Sequence, residues 1–215
     1  MTQTFALIVR HGEAEGNREG RLIGQTDAPL SDFGHRQAAA VGARLSSLPI
    51  TRIISSDLPR TMQTAEPLAK LLQIKIEREP QLREIANGEW EGRMPDEVEA
   101  GWPDLWKRYG AGEDVSRPGG ESWADVGRRA VAAIEGLADT EDRLIAVFTH
   151  GGPIAQILRW ATGLPYDTHV YTGPMGAMAN TGISTISMPQ VRLLGYNDVG
   201  HLAGLVRHPD TPFFG

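Results

Sequence analysis

The chain has 215 residues, 40% hydrophobic and 22% charged, with a formal net charge of −6 and no cysteine. That length suits one domain spanning 1–215. The lack of cysteine excludes disulfide scaffolds, thiolate zinc sites and cysteine nucleophiles. The acidic balance argues against nucleic acid or an anionic membrane as partner, since both need a basic face.

The N-terminal MTQTFALIVRHG lacks a basic n-region, and its apolar run is too short for a signal peptide. No apolar stretch is long enough to span a bilayer, so a cytoplasmic protein is expected. Phe5–Val9 reads as a first strand, continuous rather than alternating, which suits burial on both faces. It runs straight into Arg10, His11 and Gly12. Ser31 is placed to cap a helix over SDFGHRQAAAVGARL. A second strand, Arg52–Ser55, precedes a helix through Leu72, with Asp57 as its expected cap and Met62, Ala65, Ala69 and Leu72 on one face. Ile74–Ile76 reads as a third strand.

Residues 88–121 break this rhythm, being rich in Gly, Pro, Trp and acid. They are expected to form a small helical insertion within the domain. Ser122 then caps a helix carrying Trp123, Val126, Ala130, Ile134 and Leu137 on one face. Leu144–Phe148 is a fourth strand, and Gly152 or Pro153 opens a helix through Ala161 that Gly163 and Pro165 stop. Ile183–Met188 and Arg192–Tyr196 complete the strands. Strands alternating with helices predict an α/β fold: a three-layer α/β/α sandwich with a central, mostly parallel sheet.

The carboxyl ends of parallel strands line one edge, where ligands bind. Strand one ends in Arg10-His11. Arg60 lies in the first helical turn after strand two, and strand four ends in Thr149-His150-Gly151-Gly152. Two Arg and two His are thus expected at one crevice, with helix N-termini pointing N–H groups into it. Arginine's planar fork matches phosphate oxygens, and a neutral histidine can act on phosphorus as a nucleophile. Gly12 is expected to let the backbone pass close to a ligand. The spacing of His11, His150 and Glu84 matches no common metal motif, so neither metal nor cofactor is expected.

These motifs carry a resemblance over nearly the whole chain. LIVRHGEAEGN, GQTDAPLSDFGHRQA (Gly24–Ala38), SSDLPRTMQTA (Ser55–Ala65), LREIANGEWEG (Leu82–Gly92), PGGES (Pro118–Ser122), FTHGGPI (Phe148–Ile154), NTGIS and YNDVGHL occur in order. Together they resemble the phosphoglycerate mutase-like branch of the histidine phosphatase superfamily. The resemblance implies that His11 becomes phosphohistidine and that Arg10 and Arg60 grip the phosphoryl oxygens. It implies that His150 donates to those oxygens, and that Asn17 and the N–H of Gly151 assist. Glu84 would protonate the leaving alcohol and then activate water, which requires Glu84 to carry a proton when substrate is bound. Gly24 and Gln25 would lie in a loop facing the substrate. Glu13 would touch substrate or support Arg10, and Ser55 would hold Arg60 or act as a cap. Trp90, Trp102, Trp106 and Tyr109 would line a pocket wall or cover a core, and His35, His169, His201 and His208 read as surface or structural.

Within that family, mutases tend to follow the acid with Arg-His-Tyr-Gly and carry a more basic insertion. Here Glu84 is followed by Ile85-Ala86-Asn87-Gly88, and acids outnumber Arg93, Lys107, Arg108 and Arg117 in the insertion. This departure favours a phosphomonoesterase for a small phosphorylated metabolite over a cofactor-dependent phosphoglycerate mutase. It also points to a substrate without much further negative charge. The Pro-rich, aromatic C-terminal tail either packs on a second copy, as in a homodimer, or covers the domain's own surface.

Overall fold

The computed structural model describes residues 3–15, 20–138, 144–166 and 178–205. Among them, six strands form one sheet: β1 (Thr4–Arg10), β2 (Arg52–Ser55), β3 (Ile76–Arg78), β4 (Leu144–Thr149), β5 (Ile183–Met188) and β6 (Arg192–Asp198). Their order is β3-β2-β4-β1-β5-β6. The β3–β2, β2–β4 and β4–β1 pairs are parallel; β5 and β6 add on antiparallel.

The two-residue period of the strands sorts their apolar side chains into two layers. Ala6, Ile8, Ile145 and Val147 pack with Ala130, Ile134, Ile154 and Ile157 of helices α5 (Trp123–Glu135) and α6 (Gly151–Ala161). Leu7, Val9, Ala146 and Phe148 face the other way, onto Val41 and Leu45 of α1 (Asp32–Leu45) and Ala65 and Leu68 of α2 (Pro59–Leu72). β1 and β4 are therefore covered on both faces, which is why their sequences are continuous apolar runs. The result is the expected three-layer α/β/α sandwich.

Ser31 accepts from the Gly34 N–H, and Ser122 forms a capping box with Asp125, so both caps hold as read. Asp57 does not cap α2. Leu58 occupies that position without a side-chain bond, because both Asp57 oxygens accept from Arg83, at 2.6 and 2.5 Å. A charge-assisted fork of this kind outcompetes a single backbone N–H. Of the expected α2 face, Ala65 is buried and Ala69 and Leu72 pack half-buried against the same core, while Met62 is half-buried; Arg60, Thr61 and Thr64 are buried beside Ala65 and Leu68. Helix α2 turns a polar stripe inward because that stripe faces the crevice. Strand β3 starts two residues later than expected. Gln73 takes a left-handed conformation (φ 57°) and the Ile74 N–H bonds back to the Ala69 carbonyl, so Ile74 is spent on closing the C-terminal cap of α2.

The 88–121 segment is helical, with a 3-10 turn at Gly88–Trp90 followed by α3 (Pro95–Gly101) and α4 (Pro103–Gly110). Its aromatics build a small core of their own. Trp90 is buried with Val98 and Val115, and Trp102, Trp106 and Tyr109 pack against them. The Arg117 guanidinium lies over the Trp123, Tyr109 and Trp90 rings at 4.7, 5.3 and 5.8 Å. Among the described residues no helix is long and apolar enough to cross a membrane. His169, His208 and the C-terminal tail from Val206 lie outside the described residues.

Candidate active site

The parallel register sets Arg10 opposite Thr149 and Ser55 opposite Phe148, so β1, β2 and β4 end together. Their continuations carry the crevice. The His11 N–H bonds the Thr149 carbonyl at 3.0 Å, and the His11 carbonyl accepts from Nδ2 of Asn180 at 2.9 Å. Thr64 ties this turn to α2: its hydroxyl accepts from the Gly12 N–H at 3.0 Å and donates to the Arg60 carbonyl at 2.6 Å. Gly12 is held to glycine by a protein neighbour, because an added Cβ would lie 2.8 Å from the Gly34 carbonyl oxygen in α1.

His11 and His150 are buried, with ring centroids 5.1 Å apart. Burial, then the nearby Arg60 and Arg10 guanidiniums, hold His11 well below the usual imidazole range. Burial, then Arg60, do the same to His150. Both rings are therefore neutral, and their partners fix the tautomers. His11 Nδ1 lies 2.6 Å from the Gly12 carbonyl, which only accepts, so the proton is on Nδ1 and the Nε2 lone pair is left available. His150 Nδ1 accepts from Arg60 Nε at 3.1 Å, which places its proton on Nε2, donating to Ser56 Oγ at 2.9 Å.

Arg60 is 1% exposed. Besides its Nε bond, it donates through Nη1 to the Thr26 carbonyl at 2.9 Å and through Nη2 to the Gly24 carbonyl at 2.6 Å. Gly24 thus meets the site through its carbonyl oxygen. Arg10 donates through Nη1 to the Met178 carbonyl at 2.5 Å. A Cβ built on Gly151 would lie 3.7 Å from Arg10 Nε and 3.8 Å from Glu84 Oε2. Gly151 is thus the point where the Arg10 guanidinium and the Glu84 carboxylate meet. Both Glu84 oxygens accept from the Gly152 N–H, in the first turn of α6, each at 3.2 Å, and Oε1 also accepts from the Ile85 N–H.

His11, Arg10, Arg60, His150, Glu84 and Gly151 therefore converge. Gln25 lies next to them, but its amide is engaged by protein: Nε2 donates to the Glu84 carbonyl at 3.0 Å, and Oε1 accepts from Arg83 at 3.4 Å. Asn17 lies outside the described residues. Glu13 Oε1 accepts from the Ser31 hydroxyl, and Ser55 donates to the Ser56 carbonyl rather than holding Arg60. His201 is half-buried against the Thr181 hydroxyl at 3.1 Å, and His35 is exposed.

Sequence reasoning missed Ser56, Thr64, Asn180, Glu91 and Arg129. Ser56 and Asn180 sit inside motif blocks, where a hydroxyl or amide next to a named residue was the available signal. Glu91 collects the N–H groups of Gly24 and Thr26 and the Thr26 hydroxyl on one carboxylate oxygen.

Fold and crevice place the chain among α/β proteins that bind their ligand at the carboxyl edge of a mostly parallel sheet. Comparison with known proteins supplies the family. The profile of the histidine phosphatase superfamily (branch 1) matches residues 6–197. The chain belongs to that superfamily. It is 35% identical over 209 residues to a probable phosphoglycerate mutase, GpmB, of Salmonella typhi, covering 95% of this chain and 94% of that protein. The solved structure of YhfR from Bacillus stearothermophilus superposes with a TM-score of 0.83 at 29% identity, covering 93% of this chain and 99% of that one. A mycobacterial glucosyl-3-phosphoglycerate phosphatase superposes at 0.78 and 27% identity, covering 91% and 99%.

Proposed function

We propose that the protein is a phosphomonoesterase that works through a phosphohistidine at His11, without a metal ion. The observation that carries this reading is the 2.6 Å contact of His11 Nδ1 with the Gly12 carbonyl. It leaves Nε2 of a neutral ring as a nucleophile among two arginines and a second histidine. Nε2 attacks phosphorus as the phosphorus–oxygen bond to the alcohol breaks. Protonated Glu84 gives its proton to the leaving oxygen. Water then attacks the phosphohistidine, Glu84 takes a proton from it, and the nitrogen–phosphorus bond breaks. Ester and water become alcohol and phosphate.

Phosphoryl transfer depends on positioning and on positive charge around the equatorial oxygens. Arg10 and Arg60 supply that charge, and three of the five Arg60 N–H groups are already spent on fixing its plane. Among the described residues no three His, Asp or Glu side chains gather as a metal-binding set. The substrate we infer is a small phosphate ester without much added negative charge, since the insertion beside the site is acidic and its aromatics pack on one another.

A second reading, phosphoglycerate mutase, is favoured by the 35% identity to the Salmonella protein of that probable activity. One experiment separates the two. Wild type and His11→Ala are assayed in excess EDTA for phosphate release from p-nitrophenyl phosphate and 3-phosphoglycerate. The same samples are assayed for conversion of 3- to 2-phosphoglycerate with bisphosphoglycerate added. The expected outcome is hydrolysis that needs His11, survives EDTA and comes without isomerisation. Isomerisation with little hydrolysis would establish the mutase, and reversible loss in EDTA would restore a metal.

A further inference from the structure

We propose that Arg129, on α5, is a positioning residue for Glu84, and that Glu121 holds Arg129 for that task. The inference rests on reading Glu84 as the general acid and base.

The chain from Arg83 to Asn87 belongs to no helix or strand. Its backbone groups have no ladder, so they need other partners. Arg129 supplies them. Its Nη1 donates to the Gln81 and Arg83 carbonyls, each at 2.6 Å, and its Nη2 donates to the Glu84 carbonyl at 3.0 Å. Its Nε and Nη2 also bind both oxygens of Glu121, at 2.7 and 2.9 Å. Glu121 in turn accepts from the Ala86 N–H at 2.8 Å. The Arg129–Glu121 pair therefore pins the backbone on both sides of Glu84.

An ordinary surface ion pair does little. This one differs in two ways. The side chains are only 17% and 22% exposed, and the guanidinium spends its donors on the backbone as well as on its counter-ion. The Glu84 carbonyl is also where Gln25 Nε2 arrives, at 3.0 Å. Helix α5 and the 24–26 loop thus meet on the residue whose carboxylate lies beside Gly151 and Gly152. No other residue type spans these acceptors: lysine offers a point charge in place of a planar fork of five N–H groups.

The test uses Arg129→Lys, Arg129→Met and Glu121→Gln in the full chain, with Glu84→Gln as reference and the exposed neighbour Arg128→Met as control. For each, kcat and KM are measured with p-nitrophenyl phosphate, whose leaving group needs little protonation, and with β-glycerophosphate, whose alkoxide needs a proton. Melting temperature is read alongside. A misplaced acid should lower kcat for β-glycerophosphate about tenfold to a hundredfold more than for p-nitrophenyl phosphate. Adding Arg129→Lys to Glu84→Gln should leave the ratio of the two rates where Glu84→Gln puts it. Arg128→Met should stay within about twofold on both. If Arg129→Met does not fold, Arg129→Lys and Glu121→Gln carry the same comparison. A differential loss in Glu84→Gln with equal losses, or a melting shift alone, in the Arg129 and Glu121 variants overturns the proposal. Equal losses in Glu84→Gln itself overturn the acid reading, and the proposal with it.

Discussion

Arg60 donates through Nε to Nδ1 of His150 at 3.1 Å, so the second histidine of the crevice is an acceptor toward the arginine beside it. The ring's only proton then sits on Nε2, 2.9 Å from Ser56 Oγ. In the opposite tautomer, Nδ1–H would face the Arg60 N–H, donor against donor. Ser56 is thus the lock on the arrangement. Ser56→Ala leaves a buried N–H without its acceptor, which should cost about 1–2 kcal/mol of stability. With Arg60 less firmly oriented, kcat/KM should fall about tenfold. Urea unfolding and steady-state kinetics check both. Wild-type kinetics in Ser56→Ala would show that Arg60 keeps its plane without the Ser56 lock.

The neutral histidines make stability depend on pH. In the unfolded chain each protonates near pH 6.5, whereas in the folded chain burial holds His11 and His150 well below that. The folded state binds fewer protons there, so stability is fully present above about pH 6.5 and falls as pH drops toward the folded values. His201, also lowered by burial, adds in the same direction. Asp57, Glu77 and Asp125, lowered chiefly by hydrogen bonds from Arg83, Arg52 and Ser122, contribute stability that is lost only below about pH 4. The interval from pH 6.5 to 5 therefore isolates the histidines. Each fully buried ring should contribute a slope of about 1.4 kcal/mol per pH unit. Urea denaturation at pH 7.5 and 5.5 reads it, and equal unfolding free energies would contradict neutral buried rings.

Glu91 supports Arg60 at one remove. Its Oε1 receives the Gly24 and Thr26 N–H groups, both at 2.9 Å, and the Thr26 hydroxyl at 2.5 Å. The carbonyls of those same two residues receive Arg60. Glu91→Gln keeps the shape and removes the charge, weakening charge-assisted bonds by about 1 kcal/mol in total stability. A loosened loop should lower affinity for inorganic phosphate about threefold to tenfold. Titration calorimetry with phosphate measures this, and unchanged affinity would mean that Arg60 does not take its position from the loop.

The layers and the crevice were legible in the sequence because their signals are local. An apolar run reads as a strand wherever it lies, and Ser31 and Ser122 cap the helices they precede. The residues ending β1, β2 and β4 meet because parallel strands must end together. What stayed hidden depends on partners far along the chain. Asp57 looks like a cap until Arg83 reaches it, 26 residues on. Arg129 binds carbonyls 45 to 48 residues away, and a carbonyl has no side-chain identity to read. The close approach of Gly12 to the backbone of Gly34 is another such contact, 22 residues along the chain.

Gly152, in the first turn of α6, joins the Glu84 carboxylate to that helix. Its N–H binds both Glu84 oxygens, and an added Cβ would collide with Glu84 Oε1 and fall 2.6 Å from Cζ3 of Trp123. Trp123 is 5% exposed and packed against Ile85 and Val126, so it has little room to retreat. Glu84, half-buried, is the group that must give way. Gly152→Ala should therefore cost about 1–3 kcal/mol through overpacking. It should also lower kcat for alkyl phosphates at least about tenfold, with less effect on p-nitrophenyl phosphate. Gly136→Ala is the matched control, because its Cβ would meet nothing closer than 3.6 Å. Kinetics on both ester types, with thermal melting of each variant, decide it. A Gly152→Ala enzyme that is less stable yet equally active on alkyl esters would show that Glu84 keeps its post by another route.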